Sequence, residues 1–175
     1  MSTKKYAPVQ EKPRPNTLVN TLVNTLVNTL VNTLVNIGLI GWTIPVAMRM
    51  DFAKGELVLE VGLGPDCDAA LRDEIMKMTG TKFLEGSTNE VVDAVLLWFR
   101  EDDGDLVDEL MDATAYLSET GPIWVLTPKV GRDGHVEPSD IQDAAPTAGL
   151  SQTSSLSIAA DWSATRLVAR KAGKR

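Results

Sequence analysis

Two stretches, residues 94–99 and 123–127, are apolar at almost every position, and they constrain this chain more than any other feature. An alternating strand can leave one face in water, whereas a strand apolar on both faces has to be covered on both. Each stretch is followed by a helical pattern. Asp105 stands as an N-cap ahead of Leu106, Leu110, Ala113 and Leu117, with Gly121 beyond the end. Pro138 suits the first turn of a short helix through Ile141 and Ala145, which Pro146 and Gly149 close.

An earlier unit has the same grammar. Residues 57–61 read as a buried strand that runs into Gly62-Leu63-Gly64-Pro65, a glycine turn. Asp66 or Asp68 then caps a helix with Leu71, Ile75 and Met78 on one face and Gly80 as its stop. Residues 82–85 form a weak second strand. Strands alternating with helices of this length predict an α/β fold, a Rossmann-like three-layer sandwich whose sheet is mostly parallel. The end of the chain departs from that rhythm. Residues 156–158 and 165–169 flank Asp161-Trp162-Ser163, which predicts a C-terminal antiparallel hairpin. In such sheets ligands bind at the carboxyl ends of the strands, which selects the loops 62–68, 100–105 and 127–137.

The predicted organisation has four parts: residues 1–36, an arm followed by a low-complexity repeat; an apolar lead-in, 37–54; a single α/β domain, 55–169; and a basic tail, 170–175. The repeat is five tandem copies of Thr-Leu-Val-Asn from Thr17 to Asn36. In a helix each copy drifts by about 40°, and β-branched Thr and Val with Asn are poor helix formers. In a strand, Thr and Val would share one face and Leu and Asn the other, giving two mixed faces. Neither element fits well, so the repeat reads as a duplication without chemistry. Its Leu-Val content makes it a candidate for self-association into a homo-oligomer.

The net charge of -7 is uneven. The first 36 residues carry +3 and the segment from Arg166 to Arg175 carries +5, leaving -15 between them. An acidic body repels phosphate backbones, which excludes the folded domain as a nucleic-acid reader. Every fourth residue of the repeat is asparagine, so no run reaches the roughly 18 apolar residues of a membrane span. The single cysteine, Cys67, leaves no internal disulfide, and the N-terminus lacks the pattern of a signal peptide, so the expected location is the cytoplasm.

From Leu57 onward the chain is similar to an uncharacterised actinobacterial family, domain-of-unknown-function family 3052. The residues that carry the likeness are Asp93-Ala94-Val95-Leu96-Leu97-Trp98, Arg100-Glu101-Asp102-Asp103-Gly104-Asp105, Ile123-Trp124-Val125-Leu126-Thr127-Pro128-Lys129 and Val136-Glu137-Pro138-Ser139, with Ala148-Gly149-Leu150 and Trp162. At a coarser level the order of elements resembles a reduced class I methyltransferase. That resemblance implies S-adenosylmethionine as cofactor, with Glu60, Gly62 and Gly64 at the glycine turn and Glu85 on the ribose. Glu85 lies about 20 residues past the turn, as ribose recognition asks. Only seven residues, 87–93, separate the weak strand from the strong one, too few for an ordinary parallel crossover of about ten. A strand and a helix of the full fold are therefore expected to be missing.

Other residues read more simply as structure. Asp66 and Asp68 stand where a dinucleotide phosphate would sit and disfavour one, while a phosphate-free adenosyl ligand remains compatible. Glu101, Asp102, Asp103 and Asp105 point apart in one loop, so capping and solvation explain them better than a metal. Cys67 has flanking aspartates that oppose a thiolate. His135 lies in a loop that can cover a site with Lys129 and Arg132, but no catalytic set is legible around it. Trp98, Trp124 and Trp162 read as packing. The leading reading is a non-catalytic regulatory or protein-interaction module whose acidic face meets a protein partner, with an S-adenosylmethionine binder or methyltransferase as the runner-up.

Overall fold

A computed structural model describes residues 17–36, 44–86 and 88–170. Residues 37–43 of the predicted lead-in, and most of the predicted arm and basic tail, lie outside the described residues.

The repeat Thr17–Asn36 is an α-helix, α1, which corrects the reading that it fits neither regular element. Thr29 and Thr33 each donate Oγ1 to the backbone carbonyl four residues back at 2.8 Å, the back-bond that Thr114 also makes to Leu110 O, so the hydroxyls are satisfied inside the helix and propensity alone did not decide the element. Leu22, Leu26 and Leu30 are each 62% exposed. Among the described residues no helix is long and apolar enough to cross a membrane.

From Pro45 onward the chain builds a six-stranded sheet. In chain order the elements are α2 (Val46–Arg49), β1 (Val58–Val61), α3 (Ala69–Thr79), β2 (Leu84–Glu85), β3 (Ala94–Trp98), α4 (Leu106–Tyr116), β4 (Pro122–Pro128), α5 (Pro138–Thr147), β5 (Leu150–Ser157) and β6 (Trp162–Ala169). The strand order is β2-β1-β3-β4-β6-β5, parallel from β2 to β4 and antiparallel for β4-β6-β5. The fold is the mostly parallel α/β sandwich with a C-terminal antiparallel pair that the apolar strands dictate.

Every residue of β3 is buried, and alternation sorts them. Ala94, Leu96 and Trp98 face one way with Trp124 and Leu126, onto Ala47, Met50, Leu71 and Ile75 of the α2 and α3 side. Val95 and Leu97 face the other way with Ile123 and Val125, onto Leu106, Leu110 and Ile141 of the α4 and α5 side. Each such side chain contributes about 1.5–3 kcal/mol on leaving water, so the sheet centre anchors both layers.

The ends of α3 and the start of α4 follow the residues read as caps, whereas α5 runs through Pro146, read as its stop, to Thr147. Asp68 accepts from Leu71 N at 2.7 Å, Asp105 accepts from Val107 N at 2.7 Å, and Gly80 closes α3 at φ 73°. The C-terminal hairpin differs from expectation. Trp162 and Ser163 lie in β6 rather than in the turn, which occupies residues 158–161, and β5 starts directly after α5 and takes in the polar run 151–155. That run can be polar because β5 is an edge strand with water on one side. Between β2 and β3 only residues 86–93 intervene, yet both strands lie parallel to β1 on opposite sides of it. This crossing has no helix among its described residues. Val92 N donates to Tyr116 O and Ser118 N donates to Val92 O, both at 2.9 Å, which fastens its end to the α4 side.

Candidate functional site

The loops after β1, β2 and β3 open at one end of the sheet, where two adjoining hollows of about 350 and 530 Å³ lie. Glu60, Gly62 and Glu85 line the smaller hollow with Tyr116, and Gly62 and Gly64 line the larger with Arg100. The four residues singled out in the sequence are therefore gathered at the same end of the sheet.

Their individual surroundings differ. Glu60 has a fully buried carboxylate. Arg72 of α3 grips it with Nε on Oε1 at 2.6 Å and Nη2 on Oε2 at 2.7 Å, and Trp98 Nε1 donates to Oε1 at 2.9 Å. The alternation of β1 turns Glu60 to the face that carries α3, so its charge is neutralised inside the protein. Glu60 in turn holds the Arg72 guanidinium protonated to higher pH than usual. Glu85, next to Glu60 in the β1–β2 register, is exposed at the rim of the smaller hollow.

Gly62 is fixed by packing. Its φ is 73°, and a Cβ built there would lie 2.1 Å from the carbonyl oxygen of Trp98 on β3. The sharp exit from β1 thus needs both the left-handed conformation and the missing side chain. Gly64 faces a different neighbour: a Cβ there would be 2.7 Å from Asp66 Oδ1 and 2.8 Å from Arg100 Nη2.

Arg100 is the residue that sequence reasoning passed over. It leaves β3 and reaches across to the glycine turn. Its Nε donates to Asp66 Oδ2 at 2.9 Å, its Nη2 to Asp66 Oδ1, and its Nη1 to Gly62 O at 3.1 Å and Asp103 Oδ2 at 3.2 Å. Its guanidinium carbon stands 5.2 Å from the ring centroid of Trp162, whose Nε1 donates to Asp66 O at 3.1 Å. These donors hold the Asp66 carboxyl below the usual aspartate range, and Asp66 raises the Arg100 guanidinium. Cys67 belongs to the same knot. Its Sγ accepts from Gly64 N at 3.2 Å, and burial pushes the thiol up, so it stays protonated at neutral pH. Asp66 and Arg100 are 34 positions apart, and no periodicity links them; the only signal was that each follows a parallel strand in adjacent register.

The acidic loop divides by role. Asp103 supports Arg100, Asp105 caps α4, and Glu101 and Asp102 are exposed. Among the described residues no group of three or more His, Cys, Asp or Glu side chains is placed to hold a metal.

Comparison with known proteins agrees with this fold. The O-methyltransferase NcsB1 of neocarzinostatin biosynthesis, solved with S-adenosyl-L-homocysteine and 1,4-dihydroxy-2-naphthoic acid, superposes with a TM-score of 0.56 at 14% identity, covering 89% of this chain. TnmH superposes with a TM-score of 0.54 at 13% identity over 89% of this chain. The present chain spans 59% of each of those two structures. These superpositions show the fold alone, a Rossmann-like α/β fold of the kind methyltransferases have. In sequence, the uncharacterised protein Rv2239c of Mycobacterium tuberculosis is 50% identical over 131 residues, covering 74% of this chain and 82% of that protein, and Mb2263c of Mycobacterium bovis matches equally. A family match starts ten residues before the first strand motif and so takes in α2 as well as the sheet. The chain belongs to the family described as Protein of unknown function (DUF3052), whose model matches residues 47–171.

Proposed function

We infer that this protein is a non-catalytic regulatory or protein-interaction module on a methyltransferase-like fold. The observation that supports this reading is the seating of Arg100. In the fold's ligand-binding logic the glycine turn lets a ligand approach the backbone after the first strand. Here a guanidinium lies against that turn, tied to Asp66, Asp103 and the Gly62 carbonyl, and the Glu60 carboxylate is committed to Arg72 and Trp98. The exposed acids Glu101, Asp102 and Asp108 beside it offer a negative face to a protein partner with a basic surface.

A second reading, an S-adenosylmethionine-binding protein, is favoured by the smaller hollow. Glu85 stands at its rim where a ribose hydroxyl pair would be received, and Glu109 and Asp112 would face a sulfonium cation. Calorimetric titration with S-adenosylmethionine and S-adenosylhomocysteine separates the two. Micromolar binding corresponds to about 8 kcal/mol and gives a clear isotherm. The module reading expects no isotherm from the wild-type chain at millimolar ligand. A saturable isotherm that Glu85→Gln weakens at least tenfold would overturn it in favour of the adenosyl site. For the partner, Glu101→Gln with Asp102→Asn is the clean neutralisation, because Asp103 and Asp105 also hold Arg100 and α4.

A further inference from the structure

A third hollow, of about 420 Å³, lies away from the glycine turn, between the end of β4, the β5–β6 pair and the start of α5. We propose that it is a binding site for a small neutral molecule with an apolar body and a hydroxyl group.

The sheet face toward α5 is apolar along most of its width, through Ile123, Val125 and Leu167. At this end it changes character. Thr127 on β4 pairs with Ser163 on β6, and Thr165 on β6 pairs with Ser155 on β5, which sets four hydroxyls on one patch of floor. Thr127 and Thr165 are each only 5% exposed, and neither hydroxyl hydrogen-bonds to another protein group among the described residues. Neither hydroxyl oxygen is sealed from solvent, so both stay free to bond to water or to a ligand in the hollow. Val136 and Ile141 supply an apolar wall.

His135 sets the polarity of the ligand. Its Nδ1 is 2.8 Å from the carbonyl oxygen of Pro128, which can only accept, so Nδ1 carries the proton. In the neutral ring Nε2 is then a lone-pair acceptor. It is buried without a hydrogen-bond partner, with Glu137 Oε1 3.6 Å away. An acceptor nitrogen beside a carboxylate repels an anion and receives a donor. Lys129 lines the hollow, but its Nζ donates to Ala159 O at 2.6 Å and is drawn toward the hairpin turn. A ligand hydroxyl satisfies the set once the exposed Glu137 side chain swings off Nε2, which is closed to solvent in the free fold: its proton goes to Nε2, its oxygen accepts from a Thr hydroxyl, and its hydrocarbon part meets Val136 and Ile141. The volume suits a molecule of about one ring. This site is independent of the cleft at the glycine turn.

His135 is the single histidine of the chain, so its imidazole nitrogens give an isolated NMR signal. The test titrates the full-length protein with 4-methylphenol, 4-methylanisole and 4-methylbenzoate, following His135 Nε2. The proposal expects a saturable Nε2 shift with 4-methylphenol and at least fivefold weaker binding of the ether, which has no donor, and of the anion. The isosteric pair Thr127→Val and Thr165→Val should weaken 4-methylphenol about tenfold, the size of one lost hydrogen bond to a ligand. No saturable shift up to 10 mM (about the limit of useful affinity, roughly 3 kcal/mol), equal binding of the ether, tighter binding of the benzoate, or an affinity unchanged in the double variant would each overturn it. The wild-type comparison of three probes decides the matter even if a variant fails to fold.

Discussion

Replacing Arg72 by Met tests whether Glu60 is a structural charge. The substitution keeps the length and apolar stem of the side chain and removes the two donors that hold a fully buried carboxylate at 2.6 and 2.7 Å. Trp98 Nε1 alone would remain. Removing one partner of a buried pair costs about 3–5 kcal/mol, because the other charge is left without compensation. The expected loss at pH 7 is therefore about 3–5 kcal/mol in urea unfolding, a large part of the stability of a domain this size. Adding Glu60→Gln should restore more than about 2 kcal/mol at pH 7 by removing the charge. A loss below about 1 kcal/mol, or no rescue by Glu60→Gln, would refute the reasoning.

Three further expectations can be checked with similar means. Gly62→Ala meets both a left-handed φ and the Trp98 carbonyl at 2.1 Å, so it should cost at least about 3 kcal/mol, whereas Gly80→Ala, at the same φ with open space around it, should cost only about 1 kcal/mol; equal urea midpoints would contradict the packing argument. Asp66→Asn should destabilise by under about 1 kcal/mol, since the carboxylate is half exposed, and because its folded value is lowered the difference from wild type should exist above about pH 4 and vanish as pH falls through the folded value; a difference that persists in acid would mean the charge is irrelevant. Deleting residues 1–36 should lower the number of chains per particle measured by light scattering if the exposed leucines of α1 bring copies together, and an unchanged number would place self-association elsewhere or nowhere.

Much of the architecture is local and was legible. The caps Asp68 and Asp105 and the first-turn Pro138 act within a turn of themselves, and the runs around Leu96 and Val125 declare burial on both faces by composition alone. The helix α1 was missed because propensity is a weak prior and the threonine hydroxyls bond the carbonyls four residues back within the helix. The extent of β5 was missed because a polar edge strand lacks an alternation signal. At the candidate site, the gathering of Glu60, Gly62, Gly64 and Glu85 at the sheet's carboxyl end was readable from strand-turn-helix order. Their surroundings were not.

The residues by themselves determined the class of fold, the short crossing after β2 and the end of the sheet where ligand-sized hollows form, because apolar periodicity, capping and glycine turns are short-range signals. Only the tertiary structure decided that Glu60 is neutralised by Arg72 and hydrogen-bonded by Trp98, that the Arg100 guanidinium lies against the glycine turn, and that Thr127, Thr165 and His135 meet around one hollow. Each of those contacts joins residues brought together by strand register and layer packing. Charge and hydrogen-bond partners at such separations leave no period in a sequence, since any element of matching register could supply them.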